Sequence, residues 1–245
     1  MSFVVNPYRF GGGAPAADFG NASRDFDGTN DTITVPDEAS PPWQGAGAKF
    51  SAAIWVKGRP ASNGYVLAKH GAGGLEWHIL VFSNGAFRAT CFGAIDAASY
   101  VIELTTATPI NNTTWTHVGF TFDETQTDTS KILVYADGAL ATTTNSLVGS
   151  NIVIQDSIKD VSIGADSDNN VNYDGLLADA RIYDGILAES DFADLHAGTD
   201  VAGGLWGRWI GNDDIVGSVV DDLSGNGRDG TNNGSTYSTD GPLDP

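Results

Sequence analysis

TWTHVGFTFD (114–123), followed by KILVYADGALATTT (131–144), is the stretch on which the fold class turns. Both runs are built of strand-type residues. Asp137-Gly138 breaks the second run with a dipeptide that accepts the positive φ angles of a two-residue hairpin turn. The same texture extends toward the N-terminus through DTITVP (31–36), which alternates and stops at a proline. FSAAIWVKG (50–58), GYVLAKH (64–70), LEWHILVF (75–82), AFRATCFG (86–93) and SYVIELTT (99–106) continue it. Toward the C-terminus come DVSIGA (160–165), DGLLADARIYDG (174–185) and GGLWGRWIG (203–211). Strands spaced by roughly 8–12 residues with turn signals between them suggest a sandwich or a barrel. One helical pattern stands among them, LAESDFADLHAG (187–198), with Leu187, Asp191, Phe192 and Leu195 marking a face and Gly198 placed for a C-cap. The expected class is all-β, two stacked antiparallel sheets with one short helix. Residues 1–23 are read as an N-terminal arm and linker, and 24–245 as the sandwich domain.

The 245-residue chain carries 31 acidic and 12 basic residues, a net charge of −19. That surface repels phosphate backbones and anionic membranes, so nucleic-acid binding and membrane insertion are not expected. Two readings of the acidity stay open, divalent-cation binding and solubility in a salty medium. The lone Cys91 excludes an internal disulfide and reads as a buried small hydrophobe. The start, MSFVVNPYRFGGG, lacks the basic-then-apolar pattern of a secretion signal.

The ordered set FDGTNDTITV (26–35), FSAAIWVKG (50–58), WTHVGFTFD (115–123), ILVYADGAL (132–140) and LLADARIYDGILAESDF (176–192) resembles the laminin-G-like, concanavalin-A-like sandwich domains. A segment often found beside such domains is similar to LWGRWIGNDDIVGSVVDDLSGNGRDGT (205–231). The resemblance spans about residues 24–235 and implies a jelly-roll β-sandwich. Trp55 and Trp115 are expected in the inter-sheet core, and His117 is expected to be structural. The resemblance also implies Ca2+ at sheet edges and loops. Its residue-by-residue candidates are Asp27, Asn30 or Asp31, Asp179, Asp222 and Asn226. Physically, calcium takes 6–8 oxygens from carboxylates and carbonyls. A second acidic loop, GADSDNNVNYDG (164–175), offers Asp166, Asp168, Asn169, Asn170 and Asn172 without EF-hand spacing.

Glucanases share the sandwich, but their ExDxE or ExDxxE strand is missing, and so are GxSxG and HExxH patterns. The expectation is therefore a non-enzymatic protein. Aromatics beside polar loops stack on sugar faces, and Trp43, Tyr65, Trp77, Tyr100 and Tyr173 are the candidates for a glycan site. Trp43, in PPWQG, is the one least expected in a core. The leader MSFVVNPYRFGG resembles that of tailed-phage structural proteins. Together these give a virion-associated protein, a capsid decoration, fibre or host-attachment module, with virion proteins, other copies of itself or a cell-surface glycan as partners. The alternative is a calcium-dependent carbohydrate-binding module of a bacterial surface or secreted, extracellular protein. A third reading is a cryptic glycan hydrolase.

Overall fold

The computed structural model describes residues 22–93, 100–105, 110–148, 152–209 and 219–243. Residues 1–21 of the expected arm and linker lie outside this set. Ser23, assigned to the linker, instead opens a strand.

Chain order runs β1 (Ser23–Asp27), β2 (Thr32–Val35), β3 (Lys49–Lys57), β4 (Gly64–Gly71), β5 (Gly74–Val81), β6 (Phe87–Phe92), β7 (Tyr100–Thr105) and β8 (Thr116–Asp123). It continues with β9 (Ile132–Ala136), β10 (Ala139–Leu140), β11 (Thr143–Val148), β12 (Val161–Ile163) and β13 (Asp174–Asp184). After the helix α1 (Glu189–His196) come β14 (Leu205–Trp209), β15 (Val219–Val220), β16 (Gly230–Asn233) and β17 (Thr236–Ser238). The first sheet has the order β10-β9-β8-β3-β13-β1-β17, with β14 also on β13. The second runs β11-β7-β6-β5-β4-β12-β2-β16-β15. Pairing is antiparallel throughout, so the fold is the expected two-sheet sandwich with one short α-helix.

Local chemistry explains the elements. Asp137 (φ 48°) and Gly138 (φ 80°) both take positive φ, as a tight hairpin turn between β9 and β10 requires. In β3 the pleat sends Phe50, Ala52, Ile54 and Val56 into the main core and turns Ala53 and Trp55 to the opposite face. The helix begins with a one-sided cap, in which the Asp191 carboxylate accepts the Ala188 N–H at 2.7 Å. It then buries Phe192 and Leu195 on the outer face of the first sheet. Phe192 stacks on Tyr135 with centroids 4.0 Å apart. Gly119 must stay small, because a Cβ there would stand 2.5 Å from the Phe192 ring.

The tryptophan expectations need correcting. Trp55 and Trp115 do not lie between the sheets; they form a small cluster with Ala178 on the outer face of the first sheet. The inter-sheet core instead holds Trp43, Trp77, Trp206 and Trp209. Trp43 meets Trp77 and Trp206 edge-on at 5.3 and 5.0 Å. Its indole N–H is satisfied in the interior by the Glu76 carboxylate at 2.6 Å. Glu76 is itself buried against Lys69 at 3.1 Å. The turn-like PPWQG context describes the backbone correctly, but it says nothing about where a long side chain reaches.

Candidate functional site

The outer face of the first sheet carries the candidate site. Register places Trp55 on β3 opposite His117 on β8 and Ala178 on β13. The last turn of α1 lays His196 over Trp55, with rings 5.2 Å apart and 25° from parallel. Burial holds the His117 imidazole down to about 3, so it is neutral at ordinary pH and packs beneath Trp55 as a buried residue. On the other side, β17 pairs with β1 and delivers the following residues, 240–243, onto the same face. Between helix and tail lies a cleft of about 440 Å³, lined by Thr113, Thr114, Trp115 and Asp240 among others. A second depression of about 380 Å³ continues from it, lined by Arg59, Asn112 and Asp174 among others. Lys57 and Asp240 line both.

Asp240 organises this region. One carboxylate oxygen accepts the Trp115 indole N–H at 2.9 Å, and the other meets Lys57 Nζ at 2.5 Å. Lys57 Nζ also lies 5.9 Å from the centre of the Trp115 ring. Partial burial pushes the Asp240 carboxyl up. The hydrogen bonds from Lys57 and Trp115 outweigh that and hold it below the usual aspartate value. Trp115 is thus half-buried and fixed in orientation. The wall before it is also rigid, because Asn111 Oδ1 accepts the backbone N–H groups of Thr113 and Thr114 at 2.8 and 2.9 Å. A fixed indole flanked by hydroxyls, an ammonium and a carboxylate is equipped to stack a flat polar ligand and hydrogen-bond its rim.

The sequence-predicted aromatics are elsewhere. Trp43, Trp77 and Tyr173 are at most 1% exposed, and Tyr65 is 9% exposed. Tyr173 spends its hydroxyl on the Gly58 carbonyl at 2.6 Å. None of these four presents an open ring face: Trp43, Trp77 and Tyr173 turn into the inter-sheet core, and Tyr65 is packed against Ala68 and Leu80 on the outer face of the second sheet. Tyr100 opens β7, and its side chain lies outside the described residues.

The predicted calcium ligands are also dispersed. Asp179 occupies a bulge of β13 at φ 46° and is 3% exposed. Its carboxylate meets Arg181 at 2.6 Å and Arg208 at 2.8 Å. Burial alone would raise its pKa, but the two guanidiniums lower it below the ordinary range. Asp222 accepts the N–H groups of Arg208 and Ser224 on one oxygen, and Ser224 Oγ and the Arg228 N–H on the other. Asn226 donates to the carbonyls of Leu205 and Trp206. The DLSGNGRDGT loop therefore staples itself to β14, with Arg228 lying 4.4 Å over Trp206.

The turn around Asp27 is joined to the second acidic loop. Asn169 donates to the Asn30 carbonyl at 2.9 Å, and Asn172 donates to that of Thr29 at 2.8 Å. Asp27 Oδ1 already accepts the Thr29 N–H, and Asp31 Oδ2 the Asp27 N–H. Among the described residues, no group of three or more Asp, Glu, His or Cys side chains is gathered where it would hold a metal ion. A calcium site needs 6–8 oxygens turned to one centre. The carboxylate oxygens named here for Asp27, Asp31, Asp179 and Asp222 are engaged by protein donors.

Lys57, Arg59, Thr113, Thr114 and Asp240 were missed by sequence reasoning. The one available signal was the polar run NNTT directly before Trp115, which places that indole at a loop end. Nothing local to Asp240 or Lys57 announces their meeting, since they stand 183 positions apart.

Comparison with known proteins agrees with this architecture. Over 153 residues the chain is 27% identical to adhesion G-protein coupled receptor V1 of Danio rerio, covering 61% of this chain and 2% of that receptor. A candidate carbohydrate-binding protein from Bacteroides ovatus ATCC 8483 superposes with a TM-score of 0.67 at 18% identity, over 90% of this chain and 60% of the other. A heptameric SAP-like pentraxin from Limulus polyphemus superposes at 0.58 with 13% identity, over 93% of this chain and 99% of the other. At such identities the structural likeness speaks to fold. No described helix is long and apolar enough to cross a membrane. The Laminin_G_3 model matches residues 27–193, well over half of the sequence, and the chain therefore belongs to the concanavalin A-like lectin/glucanases superfamily.

Proposed function

We propose that this chain is a non-enzymatic, glycan-binding sandwich that takes its ligand in the cleft beside Trp115. The observation that carries the reading is the half-buried indole held by Asp240 at 2.9 Å, with Thr113 and Thr114 beside it. A pinned aromatic face loses little conformational entropy on binding, and the surrounding donors and acceptors match sugar hydroxyls. The likeness in fold to a candidate carbohydrate-binding protein supports the same reading.

Non-enzymatic action is supported by the carboxylate chemistry of the cleft. A glycosidase acid needs a raised pKa to donate its proton near neutral pH. Asp240 is shifted in the opposite direction, because Lys57 and the Trp115 N–H both favour its ionised form.

The setting we propose is a virion, with the module serving as decoration, fibre or host-attachment surface. Its support is the leader stretch MSFVVNPYRFGG. Presence of the chain in purified particles tests that setting. The same binding module on a bacterial surface or in a secreted protein is the alternative.

The glycan reading is tested by an oligosaccharide array followed by calorimetry. Trp115→Ala is expected to weaken binding at least about tenfold, one decade in Kd being about 1.4 kcal/mol. Ile158→Ala, a substitution at a residue 90% exposed and outside the cleft lining, leaves affinity unchanged. Unaltered affinity in Trp115→Ala, or release of reducing sugar by the wild type, would refute the reading.

A further inference from the structure

The cation pattern around the cleft narrows the ligand class. With 31 acidic residues against 12 basic ones, acids are available to neutralise most cations of this chain. The surface cations Lys49, Lys159 and Arg228 each hold an acid, and Lys57 holds Asp240. Arg59 breaks the pattern. It is exposed, it lines the depression that continues the Trp115 cleft, and it makes no ion pair with any described residue. Asp174 lines the same depression without pairing with it.

The backbone beneath Arg59 is held on three sides. Its own N–H donates to Asn112 Oδ1 at 2.6 Å. The Gly58 N–H donates to the Asn111 carbonyl at 2.9 Å, and the Gly58 carbonyl accepts from Tyr173. Gly58 takes φ +123°, and a Cβ there would stand 2.9 Å from Gly175 Cα, so glycine alone lets the strand end turn here. A rigid backbone thus presents a flexible, unpaired guanidinium over the depression. Guanidinium is planar and weakly hydrated, and it pairs a carboxylate through two parallel hydrogen bonds.

We propose that the cleft selects acidic glycans, with a sugar stacked on Trp115 and the carboxylate of a neighbouring uronic-acid-type unit seated on Arg59. This rests on the glycan reading above and deepens it. The overall charge of −19 opposes an anion at long range. At physiological salt that field is screened within about 8 Å, so the local cation decides.

The probe is a set of uronate oligomers, of galacturonate, mannuronate and glucuronate, each as the free acid and as its methyl ester. The ester keeps the ring and removes the charge. Calorimetry with the full chain is expected to give at least about tenfold tighter binding of one free acid than of its ester. Arg59→Ala removes that preference while ester binding stays unchanged, and Arg59→Lys keeps part of it. Thermal unfolding of both variants at the wild-type temperature shows that the fold is intact.

Equal binding of acid and ester, or an acid preference that survives Arg59→Ala, overturns the inference and leaves the glycan reading standing. Binding of a sulfated dextran but of no uronate overturns the carboxylate assignment. Binding of no acid form overturns the inference. If neutral oligosaccharides also fail, the glycan reading falls with it.

Discussion

Two regions on the first sheet use the same chemistry, an aspartate held by a basic side chain, to opposite ends. Asp179 is 3% exposed and meets Arg181 and Arg208. Asp222 extends that region by accepting the Arg208 backbone N–H at 3.0 Å. Asp179, Arg181 and Arg208 are all surrounded by protein, while Asp200, which pairs with both arginines, reaches water. Asp240 meets Lys57 and Trp115 with 43% of its side chain open to water. The buried group cannot lose a partner cheaply, because the remaining charges would stay desolvated. The open group can lose one, because water replaces it. The closed region therefore serves folding, and the open one keeps groups to spare for a ligand.

The largest test of this contrast is Asp179→Ala. It leaves Arg181 and Arg208 with only the half-exposed Asp200 carboxylate, 3.0 and 3.1 Å away, and a loss of about 3 kcal/mol in unfolding free energy is expected by urea denaturation. A loss under about 1 kcal/mol would place the cluster with ordinary surface pairs. Next comes Asp222→Ala, expected to cost about 1–3 kcal/mol by orphaning backbone donors of Arg208 and Arg228. The cost is expected to be equal in calcium and in chelator. A wild-type melting temperature that rises with calcium, and a variant that no longer responds, would reassign this loop to metal ligation.

The smallest stability effect is expected for Asp240→Asn, within about 1 kcal/mol, since water reaches the Asp240 carboxylate and the amide keeps a hydrogen-bond acceptor for its partners. Its signature is instead in pH. The Asp240 carboxyl is depressed in the folded state. Its contribution is therefore present above the unfolded value, about pH 3.9, and disappears as pH falls through the lower folded value. Tryptophan emission of the wild type, read against Asp240→Asn, should show an Asp240-dependent change only below about pH 4. A midpoint near neutrality would contradict the assigned ionic contact.

The contrast also explains what could be read in advance. Asp-Gly at 137–138 encodes its own turn, and the runs of strand-type residues encode the two sheets, because backbone preference and pleat act over neighbouring residues. The helix at 187–198 was legible for the same reason. The staple in DLSGNGRDGT was legible as a turn, but its role was not. Whether Asp222 faces a cation or four hydrogen-bond donors depends on Arg208 and Arg228, which fold onto it through β14 and its own loop. Trp43 was misplaced because a turn-rich context was taken to mean an exposed ring. Trp55 and Trp115 were misplaced because either face of a strand can be apolar when a helix covers the outer one.

The sequence by itself determined the fold class and the local elements: the hairpin at Asp137-Gly138, the helix from Glu189 and the two-sheet sandwich. Tertiary structure alone decided which tryptophan is buried and which is open, and which aspartate is closed between arginines. It also brought Lys57 to Asp240 across 183 positions. The physical reason is range. Turn and strand preferences are set by near neighbours, whereas burial and charge pairing are set by whatever the finished sheets bring alongside.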